Sequence, residues 1–162
     1  MLMEIATVEH GEITDELSKF IGSIKENSVD EEKFLRFRKR LKNHMFAEEE
    51  VLFPAVVDAE HIRIARGLEY EHAAIWLLVH RIASGLRKSD FCYVLKKAQS
   101  VTRLISFHIR REEETIYGFL EDNIEDDDAV DLIARMKSDT VPEDWVCRYL
   151  RDNSRSPDEM IR

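Results

Sequence analysis

Five glycines and three prolines in 162 residues leave few places where a helix must break. With 35% charged and 44% hydrophobic residues, so few turn formers point to an all-helical protein rather than a sheet. Long apolar runs are missing too. Stretches such as AAIWLLV at 73–79 are far too short to span a bilayer, so no membrane partner is expected. The start, MLMEIATVEH, has no basic segment followed by an apolar one, and no signal peptide is expected. The only cysteines, Cys92 and Cys147, form neither a disulfide framework nor a CxxC site. The expected setting is cytoplasmic, a bacterial or archaeal-type cytosol. Positive charge is also short: the formal net charge of −9 argues against nucleic-acid binding. The basic run RFRKRLK at 36–42 is broken by Phe37 and Leu41 at helical spacing, as in a solvated helix face.

What is present is periodicity. Apolar residues recur at alternating intervals of three and four in four long segments, the mark of amphipathic helices. The stripes are Met3, Ala6, His10, Ile13, Leu17, Phe20 and Ile24; Phe34, Phe37, Leu41, His44, Glu48 and Val51; Ala65, Leu68, His72, Ile75, Val79, Ile82 and Leu86; and Val94, Ala98, Val101, Ile105, His108, Glu112, Thr115 and Phe119. The predicted helices cover about 3–25, 31–53, 62–87 and 91–120. A capping box at 28–31 and a cap at Ser89 or Asp90 mark two of the starts. Four long helices with short connections predict an antiparallel up-down-up-down bundle built as a duplicated helix hairpin. A short fifth helix is expected at 129–136. WVCRYL at 145–150 is expected on the outside of the bundle, and the tail from 152 is expected to fray.

Each stripe carries a residue foreign to a core. HMFAEEEVLFP at 44–54 and HIRREEETIYG at 108–118 each place a histidine four residues before three glutamates, then an aliphatic and an aromatic residue. VEHGEI at 8–13 resembles YEHAAI at 70–75 in the same way. The copies are offset by 62 to 64 residues. In each copy the two histidines lie nearly equally far from the intervening turn, roughly 25 Å along the axis at ~1.5 Å per residue. Antiparallel helices therefore bring His10, His44, His72, His108, Glu48 and Glu112 to one level. Unpaired, such groups cost several kcal/mol each to bury. A metal centre removes that cost, and imidazole with carboxylate and no thiolate suits iron, and also manganese or zinc. Glu49, Glu50, Glu113 and Glu114 are expected to rotate off the inward face. Glu69 and Glu71 are expected to be solvated, with a hydrogen bond to a ligand imidazole as the alternative. His61 lies too far along its helix to join the centre, and His80 lies off the stripe.

These two segments, each preceded by an E-H-x-x-I, resemble the hemerythrin-like, HHE cation-binding family over about residues 4–122. The resemblance implies a four-helix bundle over 1–123, followed by a helical extension over 124–162. It implies a non-haem di-iron centre, an oxo- or hydroxo-bridged pair. His10, His44, His72 and His108 would be its terminal ligands, with Glu48 and Glu112 bridging. Trp76 stands where the oxygen carriers of that family have a further histidine, and Glu112 stands four residues after His108 where they often use an aspartate at five. The expected role is therefore binding or sensing of a small diatomic, O2 or NO, rather than oxygen carriage. Iron storage or delivery, iron–sulfur repair, and di-iron oxidase or NO-reducing chemistry are the alternatives. No further acid–base group on the stripes singles out a reaction. Any protein partner is expected to dock through the C-terminal extension.

Overall fold

The computed structural model describes residues 1–138 and 140–153. Among them every regular element is helical, and no strand occurs. Helix α1 spans Leu2–Lys25, α2 Glu31–Ala47, α3 Ala59–Arg87 and α4 Phe91–Glu112. Each of α2, α3 and α4 starts on an aspartate whose side chain accepts backbone N–H bonds: Asp30, Asp58 and Asp90. The first of these replaces the expected capping box at 28–31, because Asp30 already satisfies the free N–H groups of Glu32 and Lys33. The turns before α2 and α4 match as well. Asn27 and Ser89, 62 residues apart, both adopt the left-handed conformation at φ 54°. The duplication is thus visible in the backbone.

Both helices that carry H-x-x-x-E widen directly at or after the glutamate. Glu48–Leu52 and Glu113–Tyr117 are π-helical turns, a distortion often found at functional sites. After the first, Phe53–Ala55 forms a 3-10 turn around Pro54. After the second, α5 continues over Gly118–Asn123. Helix α6 covers Asp126–Ser138, longer than expected, with three aspartates in its first turn where the helix dipole favours negative charge.

The apolar stripes form most of the core as expected, with Phe20, Phe37, Leu68, Ile75, Ile82, Val94, Ala98 and Val101 all inaccessible to solvent. Past Glu112, however, Ile116 and Leu120 are buried while the expected Thr115 and Phe119 are half-buried, because the π-helical turn shifts the inward face by one residue. Two apolar clusters lie above and below the level of the inward histidines. Helix α1 packs on α2 and α4, and α3 on α4. The segment over 141–152 packs against the long helices. Trp145, Cys147 and Leu150 are buried in the larger cluster, and α7, Arg148–Asp152, packs on α3. Apolar contact explains this: Trp145 sets its ring edge against Phe46 and Trp76. Lys42 also holds the segment through the carbonyls of Pro142 and Glu143. The tail expected to fray lies, from 154 onward, outside the described residues.

At Gly85, α3 lies close against α4. A Cβ there would lie 2.7 Å from Val94 Cγ2 and 3.0 Å from Tyr93 Cδ1. Gly85→Ala is predicted to destabilise the protein by about 1–3 kcal/mol through overpacking. Gly22→Ala, with open space at its Cβ, should instead stabilise by about 0.4–1 kcal/mol. Denaturant midpoints of the two variants check both signs.

Candidate metal centre

The six residues singled out by the stripes come together in the fold. Donor atoms of His10, His44, Glu48 and Glu112 lie within 4.8 Å of one another, and so do those of Glu48, His72, His108 and Glu112. Glu48 and Glu112 belong to both groups. Glu48 turns one oxygen toward His44 Nε2 at 3.2 Å and the other toward His72 Nε2 at 3.2 Å. Glu112 turns Oε2 toward His10 Nε2 at 3.5 Å and Oε1 toward His108 Nε2 at 2.8 Å. Both carboxylates are completely buried. Each therefore spans the gap between two histidine pairs, as a carboxylate shared by two cations would.

All four imidazoles point Nε2 inward and Nδ1 outward, and each Nδ1 meets a glutamate. His10 pairs with Glu113 at 2.8 Å, His44 with Glu9 at 3.2 Å, His72 with Glu49 at 2.8 Å and His108 with Glu71 at 2.8 Å. A carboxylate can only accept, so Nδ1 carries the proton and the Nε2 lone pair of a neutral ring faces the centre. Outer carboxylates of this kind orient ligand histidines and raise their basicity. The set follows the duplication. The glutamate before the first histidine of each copy serves the second histidine of that copy. The glutamate after the inward Glu48 or Glu112 serves the first histidine of the other copy.

Three of these outer partners correct the sequence expectations. Glu49 is fully buried rather than solvated, because the π-helical turn places it against α3 and the segment around Arg148 covers it. Arg148 N–H donates to Glu49 Oε2 at 2.6 Å, and its guanidinium donates to the Glu49 carbonyl. Glu71 is buried beneath Arg111, with which it is ion-paired. Glu113 turns to His10 while keeping an exposed edge. Glu69 is buried too and is held by Arg148. Glu50 bonds Trp145 Nε1 and Arg151 rather than water alone; Glu114 is exposed, as expected.

The two copies also differ at their aromatic residue. Phe53 stacks on the His72 ring, with centroids 5.8 Å apart. Its counterpart Tyr117 is buried and donates its hydroxyl to Glu48 Oε1 at 2.9 Å. Periodicity marked Tyr117 only as a packing residue. The signal it carried was the phenol at a position where the first copy has a phenyl. Trp76, one turn after His72, packs on Trp145 and His80. His61 bonds the Asp58 cap and stacks on Phe119, outside the centre.

Charge balance at the centre is unusual for a protein interior. Burial disfavours the imidazolium of His44, yet Glu48, Glu9 and Glu112 together raise it to about 10. Burial and the neighbouring Glu112 would keep Glu48 neutral, but His44 and His72 hold it ionised, down to about 2. Burial lowers His72 and His108, and the surrounding glutamates overcome it and raise both. Glu112 lies well below its ordinary value, since His108, His10 and His72 outweigh its burial. The Cys147 thiol, in contrast, is pushed up to about 12 by burial and stays neutral. Among the described residues six buried side-chain atoms find no hydrogen-bond partner: the indole nitrogen of Trp76 and five atoms of the centre, Glu48 Oε2, His72 Nε2, His108 Nε2 and both oxygens of Glu112. Buried polar atoms are rarely left so. A donor set of imidazole nitrogens and carboxylate oxygens fits cations of the iron, manganese or zinc kind.

Four imidazoles around two shared carboxylates, inside a helical bundle, define a class of protein whose core is arranged to hold cations. The family model for the hemerythrin HHE cation binding domain matches residues 1–120, and the chain belongs to that family. No curated protein and no solved structure matches it.

Without metal, protons must balance the buried carboxylates, and this sets a pH dependence. A histidine raised from 6.5 to about 10, as His44 is, stabilises the fold fully below pH 6.5 and loses that contribution as pH rises through 10. A glutamate lowered from 4.5 to about 2, as Glu48 is, stabilises above pH 4.5 and loses its contribution as pH falls through 2. Metal-free protein is thus predicted to melt lower at about pH 9 than at about pH 6. Metal-loaded protein should lack that alkaline loss, because cations replace the protons. Calorimetry of both forms at the two pH values measures it.

Proposed function

We propose that the protein is a non-haem di-iron protein that binds or senses a small diatomic, O2 or NO. The observation that carries this reading is the set of five orphaned inward atoms on Glu48, His72, His108 and Glu112. They are five of the atoms that two cations would need, and hydrogen bonding leaves these five free; His10 Nε2 and His44 Nε2 meet each other at 3.2 Å instead. In this reading His10 and His44 would hold one ion, His72 and His108 the other, and Glu48 and Glu112 would be shared by both. A bound iron pair supplies one-electron redox chemistry and open positions for a diatomic ligand. The chain's own residues do the rest. Glu9, Glu49, Glu71 and Glu113 fix the imidazole orientations. Tyr117 fixes the carboxylate plane of Glu48. Phe53 closes the His72 side with an apolar ring.

The scaffold in this reading is an antiparallel up-down-up-down four-helix bundle over 1–123. Its support is the level at which His10 meets His44 and His72 meets His108. The chain after 123 is an extension whose described part, to 153, offers a surface for a protein partner, and the setting is cytoplasmic. Among the described residues no helix is long and apolar enough to cross a membrane.

Iron reconstitution followed by metal analysis should give two ions per chain. Glu48→Ala should lose at least one, whereas Glu114→Ala, altering an exposed acid, should keep both. Stoichiometry near zero in folded protein contradicts the reading. Optical spectra of the anaerobically reduced, loaded protein test the ligand: a new absorption on exposure to O2 or NO is expected. Unchanged spectra with both gases at full loading would remove the diatomic function.

A further inference from the structure

The duplication makes the two halves of the centre nearly symmetric, and what lies outside it does not. The outer carboxylates of His72 and His108 are shielded, with side-chain exposures of 0% for Glu49 and 12% for Glu71. Those of His10 and His44 are open, 30% for Glu113 and 36% for Glu9. Each shielded acid has an arginine on it. Arg148 binds the Glu49 carboxylate through its backbone N–H, and its guanidinium covers Glu49 by bonding the Glu49 carbonyl and Glu69. Arg111 binds Glu71, and it can lie against α3 because residue 67 is glycine; a Cβ there would be 2.8 Å from Arg111 Nη2. In the first copy Ala47 stands at the position of Arg111, and Ile5 at that of Gly67. Among the described residues neither Glu9 nor Glu113 has a lysine or arginine ion pair.

The cavities follow the same division. One of about 260 Å³ is lined by His44 itself, with Glu9, Arg40, Asn43 and Lys137. A larger one of about 540 Å³ lies on the His72 side, but none of the six inward residues lines it. Its wall is Phe53, Glu69 and Arg148, and Phe53 is stacked on His72.

We propose that the two ion positions exchange unequally, with Arg111 and Arg148 locking the His72/His108 position while the His10/His44 position releases and takes up metal. This rests on the two-ion reading above. Releasing an ion requires a ligand histidine to turn away from its outer carboxylate. At His10 and His44, water can take over the hydrogen bond to Glu113 or Glu9. At His72 and His108 the turn would strand Glu49 or Glu71 under an arginine, away from water, where an unmet polar group is costly. The arginines are positioning residues, acting through the outer acids. A centre built this way keeps one ion as a structural anchor and hands over the other.

Anaerobic mixing of ferrous-loaded protein with excess ferrozine reads the release directly. Two phases of equal amplitude are expected, differing in rate by about tenfold or more, the scale on which outer-shell groups act. Arg111→Ala should quicken the slow phase and leave the fast phase unaltered; Arg148→Ala, which keeps the backbone N–H on Glu49 but removes the guanidinium cover, should do the same by a smaller factor. His44→Gln, which spares both arginines, should bind one ion and release it at the slow rate only. Single-phase release at two ions per chain, or a slow phase indifferent to both arginine variants and absent from His44→Gln, would overturn the proposal while leaving the di-iron reading intact. Loading of fewer than two ions per chain in the wild type would overturn both.

Discussion

Two glutamates buried among four histidines are the constraint on which the rest of the structure depends. Carboxylates as deep as Glu48 and Glu112 are tolerated only where positive charge faces them. Protons on the histidines can supply it, and so can cations. The fold is arranged so that either source finds its place: Nε2 atoms and carboxylate oxygens converge, while Nδ1 atoms are tied outward. The apolar clusters on either side keep water from the site. Helix length follows too, since the centre lies far from the turns and each helix must run on past it to bury an apolar stripe.

The outer ring of glutamates turns six inward residues into an oriented set. Each imidazole is held by a carboxylate from a different helix, so the same hydrogen bonds that fix tautomers also tie the helices together. Loss of one outer acid would thus loosen both a donor and a helix contact. The segment from 141 to 152 adds to this through Glu49, which joins His72 on one oxygen to the Arg148 backbone on the other. The extension is in this way connected to the centre through Glu49. Any partner that draws the extension away would expose Glu49 and, behind it, His72.

The inward six were legible in the sequence because helical periodicity is a direct record of which face is buried. His44 and Glu48, four residues apart on a stripe of Phe37, Leu41 and Val51, can only point to the core. The outer acids were not legible in that way. Glu49 lies about a hundred degrees from Glu48 on a regular helix, which suggested solvent. Its burial comes from the π-helical turn and from residues about a hundred positions later. Glu71 is covered by Arg111, which a stripe argument treats as surface. The repeat did hold the information: both E-H pairs and both runs of glutamates recur, and a purely solvated acid has no reason to keep that register. Apolar residues at 145–150 were visible, but which surface they would cover depends on contacts with Phe46 and Trp76.

The central claim is that the six inward groups hold two iron ions side by side, and X-ray absorption at the iron edge tests it most directly. For fully loaded protein the account predicts a first shell of nitrogen and oxygen only, with imidazole scattering from two histidines per iron and a second iron as near neighbour. A sulfur neighbour, or iron with no iron beside it at full loading, would contradict it.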